Sequence, residues 1–477
     1  MKNLLVYAHA IISLLCVFSI QASGQTPYFL RYYGGQDINE QARSIQQLAG
    51  GSIYISGYLN ASGNTDPAVL KLDNYGDSVW MKTYGDSTFD AALFLNHCGA
   101  SDLIMTGERV NDLTGTDVIV LKIDSTGALL WESIIQTNKN ESGSYIEQTQ
   151  DGGFIVCGFQ SDNFGFNDIF LAKLDSLGTV SWVNHYGGAD NDYAHQVHEL
   201  PDGSLILTGD TRSKGAGGYD VEILKLTSTG EVIWDYTYGD ELQNGCQGIY
   251  IAANGDLISY GETETYQFSP FDFSIERISP DGISIWKRVF GGDESDAAFS
   301  LLEDSEGSFI FTGYSNSFNG GEPIDVIIAK TNASGELLWL NDYGGTGIDI
   351  GYGIIEMEDG FLVGATSFNE GSDDFCLLHV SVEGLLTTIT DPQNSIKPHI
   401  ELSVYPNPSS GKLSIRFTES VKNFHLEIFD VTGRRVFKSA YTGNKKETTI
   451  QFNERPGLYW LLIQSNSGNW HLPIELQ

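Results

Sequence analysis

From Ala42 onward, hydrophobic and polar positions alternate in short runs, each closed by Gly, Asp or Asn. Ala42 to Leu48 is the first run. Ser52 to Tyr58 (Ser-Ile-Tyr-Ile-Ser-Gly-Tyr) follows, with apolar residues recurring every second position. Ala68 to Leu72 is a third, and Ser78 to Tyr84 carries Trp80 and ends in Tyr-Gly. A period of two puts alternate side chains on opposite faces of an extended strand. Gly50-Gly51, Asp73-Asn74-Tyr75-Gly76 and Gly85-Asp86 supply the turns between runs. No segment sustains a helical period between caps. The pattern predicts four short strands per unit and no helix.

The unit recurs. Trp80, Trp131, Trp182, Trp234, Trp286 and Trp339 each follow a glycine by four: Gly76, Gly127, Gly178, Gly230, Gly282 and Gly335. Gly384 continues the glycine series, with Thr388 in place of Trp. A second series is Asp66, Asp117, Asp168, Asp220, Asp272, Asp325 and Asp374, followed five residues later by Lys71, Lys122, Lys173, Lys225, Arg277, Lys330 and His379. A third is Glu40, Asp90, Glu141, Asp192, Asn244, Asp296 and Asp349, each with an apolar residue five positions on. Four strands repeated every ~50 residues is the pattern of a β-propeller blade, which buries its faces against its neighbours. The count of seven predicts an all-β, seven-bladed propeller over residues 26–386. Phe29-Leu30-Arg31-Tyr32-Tyr33-Gly34-Gly35 matches the fourth strand of the other units, with Phe29 at the Trp position, while the last unit lacks that strand. The first strand is therefore expected to complete the last blade and remove a sheet edge.

The repeat resembles those of exported bacterial β-propeller proteins. Strings such as Leu174-Asp175-Ser176-Leu177-Gly178-Thr179-Val180-Ser181-Trp182 are also similar to the blade signature of quinoprotein-type propellers. That likeness covers the fold and not the cofactor, since there are seven units rather than eight and no vicinal Cys pair.

Composition changes after Gly384. Residues 387–400 read as a linker, with prolines that cannot join a central ladder. In 401–477, about seven short strands are expected to form a small immunoglobulin-like β-sandwich. Three strings stand there in order: Val404-Tyr405-Pro406-Asn407-Pro408-Ser409-Ser410-Gly411, Ile428-Phe429-Asp430-Val431-Thr432-Gly433-Arg434-Arg435-Val436 and Pro456-Gly457-Leu458-Tyr459-Trp460-Leu461-Leu462-Ile463. They resemble the type A C-terminal sorting domain of the type IX secretion system of Bacteroidota. On that resemblance Tyr405, Pro406, Asn407, Pro408, Gly411, Asp430, Gly433, Gly457 and Tyr459 carry the sorting motif. It implies the type IX secretion machinery as a partner, and passage through the periplasm and outer membrane to the surface or medium. The chain departs from the family in ending His471-Leu472-Pro473-Ile474-Glu475-Leu476-Gln477 rather than in a basic strand.

The start agrees with that route. Lys2, an apolar stretch from Leu4 to Ile20, and small residues at Ala22 and Gly24 read as a secretory signal over 1–24. No other stretch is long and apolar enough to span a membrane, so none is expected in the mature chain. The 477 residues carry 62 Asp and Glu against 26 Lys and Arg, a formal charge of −36. Residues 401–477 hold 9 basic and 7 acidic residues, leaving −38 for the rest. Such a chain lacks the basic surface that nucleic acid or anionic lipid requires. Outside the signal, Cys98, Cys157, Cys246 and Cys376 are far apart and show no CxxC spacing, which points to buried free thiols.

A position filled identically in every blade serves the fold, so the recurring acidic series are read as structural. Asp190-Asn191-Asp192 and Asp293-Glu294-Ser295-Asp296 resemble Asp-x-Asp loops, making calcium the one cofactor to weigh. They lack the closing Glu of an EF-hand, and solvated turns are the preferred reading, with no cofactor. His195 and His198 lie three apart on a strand and point to opposite faces, so no shared metal is expected. Loops that differ between blades carry Phe164, Phe166, Tyr219, Tyr266, Phe268, Phe271 and Phe318, and these aromatics are the candidate ligand contacts. The function expected is a non-enzymatic binding or scaffold module for glycan or protein. The alternative is an extracellular polysaccharide hydrolase or lyase with its site at the channel mouth. A symmetry-breaking cluster of ionisable residues there would discriminate the two, and none is evident in the sequence.

Overall fold

The computed structural model describes residues 29–34, 38–61, 63–85, 89–111, 115–137, 139–161, 165–266, 269–317, 324–344, 347–369, 372–386, 402–405, 412–430, 435–452, 455–465 and 468–476. The signal segment 1–24, the linker 387–400, and Phe164, Phe268, Phe318, Pro406, Asn407, Pro408, Gly411 and Gly433 lie outside these. The chain divides into two compact units, Met1–Thr388 and Ile389–Gln477.

The first unit is a β-propeller. Among the described residues it holds seven four-stranded antiparallel sheets. Asn39–Gln47, Ile53–Ala61, Asn64–Leu72 and Ser78–Thr83 form the first, and five more repeat that order from Asp90, Glu141, Asp192, Asn244 and Asp296. The last combines Asp349–Met357, Gly360–Asn369 and Ser372–Ser381 with Phe29–Tyr33 from the start of the chain. Phe29 pairs with His379 there, as Trp80 pairs with Lys71 in the first sheet. The leading strands of consecutive sheets are neighbours, and the seventh neighbours the first.

The core lies between sheets. Tyr54, Val69 and Tyr84 of the first sheet pack on Leu95, Leu103 and Ile119 of the second. The cycle ends where Ile45, Ile55 and Leu70 of the first meet Leu362, Phe375 and Leu377 of the last. Each fully buried side chain of this size contributes ~1.5–3 kcal/mol relative to exposure, so a single sheet without neighbours would lose most of its stabilisation. The Trp and Gly series meet across these boundaries. A methyl group added at Gly178 would approach the Trp131 ring of the preceding sheet to 2.8 Å, and one at Gly335 would approach Trp286 equally closely. The seven turn glycines of that series have φ between 70° and 85°, a left-handed backbone that glycine adopts without penalty. The Tyr of each Tyr-Gly adds a hydrogen bond: Tyr84 Oη donates to Gly127 O at 3.0 Å and Tyr186 Oη to Gly230 O at 2.6 Å.

The acidic series are largely inside. Asp90, Asp192, Asp220 and Asp296 are fully buried, and Glu40 and Asp349 nearly so. The Asp66 and Asp90 carboxylates both border Gly85, and Asp325 and Asp349 both border Gly344, so the two series meet where one sheet hands over to the next. The long polar residues reach acidic hairpin turns: Lys122 to Asp102 at 3.2 Å, Lys330 to Asp304 at 2.7 Å and Arg277 to Asp256 at 2.7 Å.

The second unit contains Leu402–Tyr405, Lys412–Asp430, Arg435–Gln451, Gly457–Ser465 and Gly468–Leu476. The first two, then the fourth and fifth, pair in that order, and Arg435–Gln451 pairs with Lys412–Asp430. About seven short strands were expected and five are described, because 412–430 and 435–451 each run on through breaks in the hydrophobic pattern. Register shifts between Arg416 and Val421 and between Lys422 and Phe424 absorb those breaks. Leu413, Ile415, Phe424, Leu426, Ile450, Phe452 and Tyr459 form its core. Tyr405 Oη donates to Glu447 at 2.6 Å and Tyr459 Oη to Arg455 O at 2.6 Å. Gly457 opens its strand and pairs with Leu476, and Asp430 closes its strand opposite Tyr459.

Candidate functional site

The leading strand of every sheet slips by one residue against the second strand. The residues left over are Arg43, Leu93, Ser144, His195, Gln247, Phe299 and Tyr352. Such a bulge removes one residue from the ladder and re-aims its side chain. Six of the residues preceding a bulge face a glycine on the second strand, from Gly57 to Gly313. A methyl group there would collide with the leading strand's carbonyl, at Gly209 with that of Tyr193. In the seventh sheet Ala365 stands at this place. All seven bulge residues line one cavity of about 450 Å³, together with Phe94, Tyr145 and Gln196. The backbone repeats seven times, yet no two of the seven side chains are alike.

Four of the bulge residues meet the residue after the facing glycine: Arg43 meets Tyr58, His195 Asp210, Gln247 Glu262 and Phe299 Tyr314. His195 Nε2 lies 2.9 Å from Asp210 Oδ2, while Asp210 Oδ1 accepts the Cys246 amide at 2.6 Å. Gln247 Nε2 is 3.3 Å from Glu262 Oε2. Burial, with help from Asp210, pushes the Glu262 carboxyl up to about 7. Burial opposes protonation of His195, but Asp210 and Glu262 outweigh it and hold the imidazole above its ordinary value. Phe299 stacks on Tyr352 with ring centres 5.4 Å apart and planes 4° apart. Burial raises the Tyr352 phenol despite the opposing Arg43 charge. Burial, Glu262 and Asp296 push Tyr314 up to about 12. Arg43 lies over two rings, 4.8 Å from Tyr352 and 5.5 Å from Tyr58. Deeper in, His198 Nδ1 is 2.7 Å from Glu147, and its Nε2 is 3.0 Å from the Ile249 carbonyl.

The antiparallel register puts the start of each leading strand beside the end of the second strand, as with Asp192 opposite Thr211. The variable loops leave the second strands at that end, the end where the bulges lie. Of the loop aromatics expected to contact ligand, Tyr219 continues a row with Tyr193 and Phe159 and lies under Arg212, 5.0 Å away. Phe166 and Tyr266 are 41% and 65% exposed, and Phe271 is half-buried at the start of its strand. Sequence reasoning missed the bulge residues, because an alternating pattern does not reveal an inserted one. A signal was available: from Arg43 to Phe299, six of them precede a glycine by 14 positions.

Among the described residues no group of three or more His, Cys, Asp or Glu side chains is placed to hold a metal ion. In the Asp-x-Asp turns, Asp192 accepts from the Gly188 amide and the Thr211 and Ser213 hydroxyls. Asp296 likewise accepts from Gly292, Ser315 and Ser317. Both carboxylates thus close their own turns. His195 and His198 take separate carboxylates, Asp210 and Glu147.

Residues 403–472 match the family model of the secretion system C-terminal sorting domain. The C-terminal module is a type IX sorting domain. The chain is therefore a secreted or cell-surface β-propeller protein. No helix among the described residues is long and apolar enough to cross a membrane. The chain is also similar to the regulatory protein FlaEY of Caulobacter vibrioides, at 24% identity over 32% of this chain and 18% of that protein, so it spans less than a fifth of that relative's length. Among solved structures it is similar to Sqt1 from Chaetomium thermophilum (TM-score 0.42, 10% identity, covering 72% of this chain and 97% of that one). It is similar too to the β-propeller domain of the Trilobed protease from Pyrococcus furiosus (TM-score 0.38, 11% identity, 74% and 100%).

Proposed function

We propose that the chain is an exported, seven-bladed propeller over residues 26–386, closed by its first strand and joined through 387–400 to an immunoglobulin-like sorting module at 401–477. We further propose that the propeller is a non-enzymatic binding module for a glycan, which enters the channel at the end bearing the bulges. One observation carries this: seven backbone-equivalent positions hold seven different side chains around one cavity. A fold needs no such asymmetry, whereas recognition of an asymmetric ligand does. The mixture suits a sugar, with flat apolar rings for its C–H faces and amide, imidazole and hydroxyl groups for its hydroxyls. Phe166, Tyr219, Tyr266 and Phe271 on the loops would extend the contact for a longer chain. A protein ligand would use those loops more than the cavity.

A second reading, a polysaccharide hydrolase or lyase, is favoured by Glu262, whose carboxyl is pushed up to about 7 by burial and Asp210, beside the ionisable pair His195 and Asp210. A group poised near neutrality is suited to general acid or base work. A glycan array on the purified full chain, combined with assays for new reducing ends and unsaturated products, separates the readings. Binding without turnover is expected. Turnover that Glu262→Gln abolishes would replace the binding reading with the enzymatic one, and no glycan binding at all would remove both.

A further inference from the structure

The first unit holds nearly all of the chain's negative charge, and several of its cations are paired with carboxylates within it. Arg31 pairs with Asp77, Arg109 with Asp90 and Glu132, and Arg277 with Asp256. Arg43 is different. Its Nη2 donates only to uncharged oxygens, Gln41 Oε1 at 3.4 Å and Tyr58 Oη at 3.2 Å. Its Nε is buried and has no hydrogen-bond partner among the described residues. The Asp373 carboxylate next to this network accepts from the Gln41 amide at 2.7 Å. The Tyr58 and Tyr352 rings hold the guanidinium by cation–π attraction, which positions the charge without neutralising it. An unsatisfied, partly desolvated guanidinium costs free energy until an anion meets it, and its planar donors match a carboxylate.

The far side of the cavity has the opposite character. His195 on Asp210 and Gln247 on Glu262 belong to the fourth and fifth sheets, across from the first. On that wall the imidazole is already paired with a carboxylate and the amide is backed by one, so it suits hydroxyls better than an anion. A ligand with one carboxylate and several hydroxyls therefore has a single favoured orientation. We propose that Arg43 is a carboxylate anchor and that the cavity takes an acidic saccharide, a hexuronate unit, in preference to a neutral one. This rests on the glycan-binding reading above and specifies its ligand class.

The test is isothermal titration calorimetry of the full chain with hexamers of galacturonate, mannuronate and glucuronate, each beside its carboxyl-reduced neutral counterpart. At least one uronate hexamer is expected to bind about 10- to 100-fold more tightly than its reduced form, the range for a hydrogen-bonded charge. Arg43→Ala is expected to remove that preference and Arg43→Lys to retain part of it. A bulge residue lies outside the ladder, so both variants are expected to keep the parent melting temperature. If Arg43→Ala fails to fold, Arg43→Lys and the reduced hexamers still decide. Equal binding of acidic and reduced hexamers, or an unchanged preference in Arg43→Ala, overturns the inference. Glycan binding on an array without uronate binding overturns it too, while leaving the glycan reading intact. Absence of any glycan binding overturns both, and selective binding of a peptide carboxylate would assign the anchor to a protein ligand instead.

Discussion

The hydroxyl of Tyr84 donates to the carbonyl oxygen of Gly127, 3.0 Å away, across the boundary between the first and second sheets. Gly127 itself sits under the Trp80 ring, so one turn is both bonded and covered by the sheet before it. Tyr84→Phe is expected to cost about 1 kcal/mol, the net worth of one hydrogen bond. Gly178→Ala, at the equivalent turn, is expected to cost roughly 2 kcal/mol or more, from left-handed backbone strain and overlap with Trp131. Urea denaturation of each variant measures both, and a smaller loss for Gly178→Ala than for Tyr84→Phe would contradict this account of the boundary.

Gly209 tests the bulge. A methyl group there collides with the Tyr193 carbonyl, just before His195 leaves the ladder. Gly209→Ala is expected to destabilise the propeller by about 2 kcal/mol and to disturb the cavity, because the second strand must move away from the bulge. His195→Ala is expected to cost well under that. The contrast, read by thermal melting, separates the backbone device from the side chain it presents.

The blade repeat was legible because every unit carries the same Trp, Gly and acidic positions, and each answers to a contact between neighbouring sheets. The sorting module was legible from three strings, although its strand number was not, since 412–430 and 435–451 pass through register shifts that look like strand ends. The cavity was hidden for a different reason. Its residues share no type, so they form no series, and the inserted residue at Arg43 or His195 is indistinguishable from its neighbours in an alternating run. Only the constant spacing to the following glycine marks it.

Stability should fall as pH rises through the neutral range. Burial raises the carboxyls of Glu108, Glu141, Asp220, Glu222, Asp272, Glu276 and Asp296, and takes Glu262 to about 7. Between the ordinary carboxylate range and those raised values, the folded chain binds more protons than the unfolded one. The slope of unfolding free energy with pH is then negative. His195 acts in the same direction, its stabilisation being lost as pH rises through its raised folded value. Melting temperature is expected to be higher at pH 5.5 than at pH 8. Glu262→Gln is expected to reduce the accompanying difference in unfolding free energy by on the order of 1–2 kcal/mol, allowing for its partial exposure. A melting temperature that rises across this interval would refute the assignment.

The four thiols described, Cys98, Cys157, Cys246 and Cys376, are buried and unpaired with one another. Burial pushes Cys98 up to about 11 and Cys246 up to about 12. Thiolate is the reactive form, so none is expected to react with a disulfide reagent at pH 7.5 until the chain unfolds, when all four should titrate. Prompt reaction of the native protein would show that the boundaries between sheets open.

Deleting residues 401–477 is expected to leave the propeller folded and trapped in the periplasm. Fractionation of cells expressing the truncated chain checks this. Normal delivery of that truncation to the surface or medium would remove the sorting role of the module.

Each bulge residue stands outside the ladder, and the apolar cores between sheets are built from other residues, so its side chain can change without altering the pairing within a blade. Exchanging Arg43, His195 or Gln247 should change what the cavity accepts while leaving the melting behaviour almost untouched. On the proposed binding reading, the propeller carries a seven-place address written on a frame whose ladder does not depend on the spelling. Relatives with the same blades could then diverge widely in ligand while folding alike.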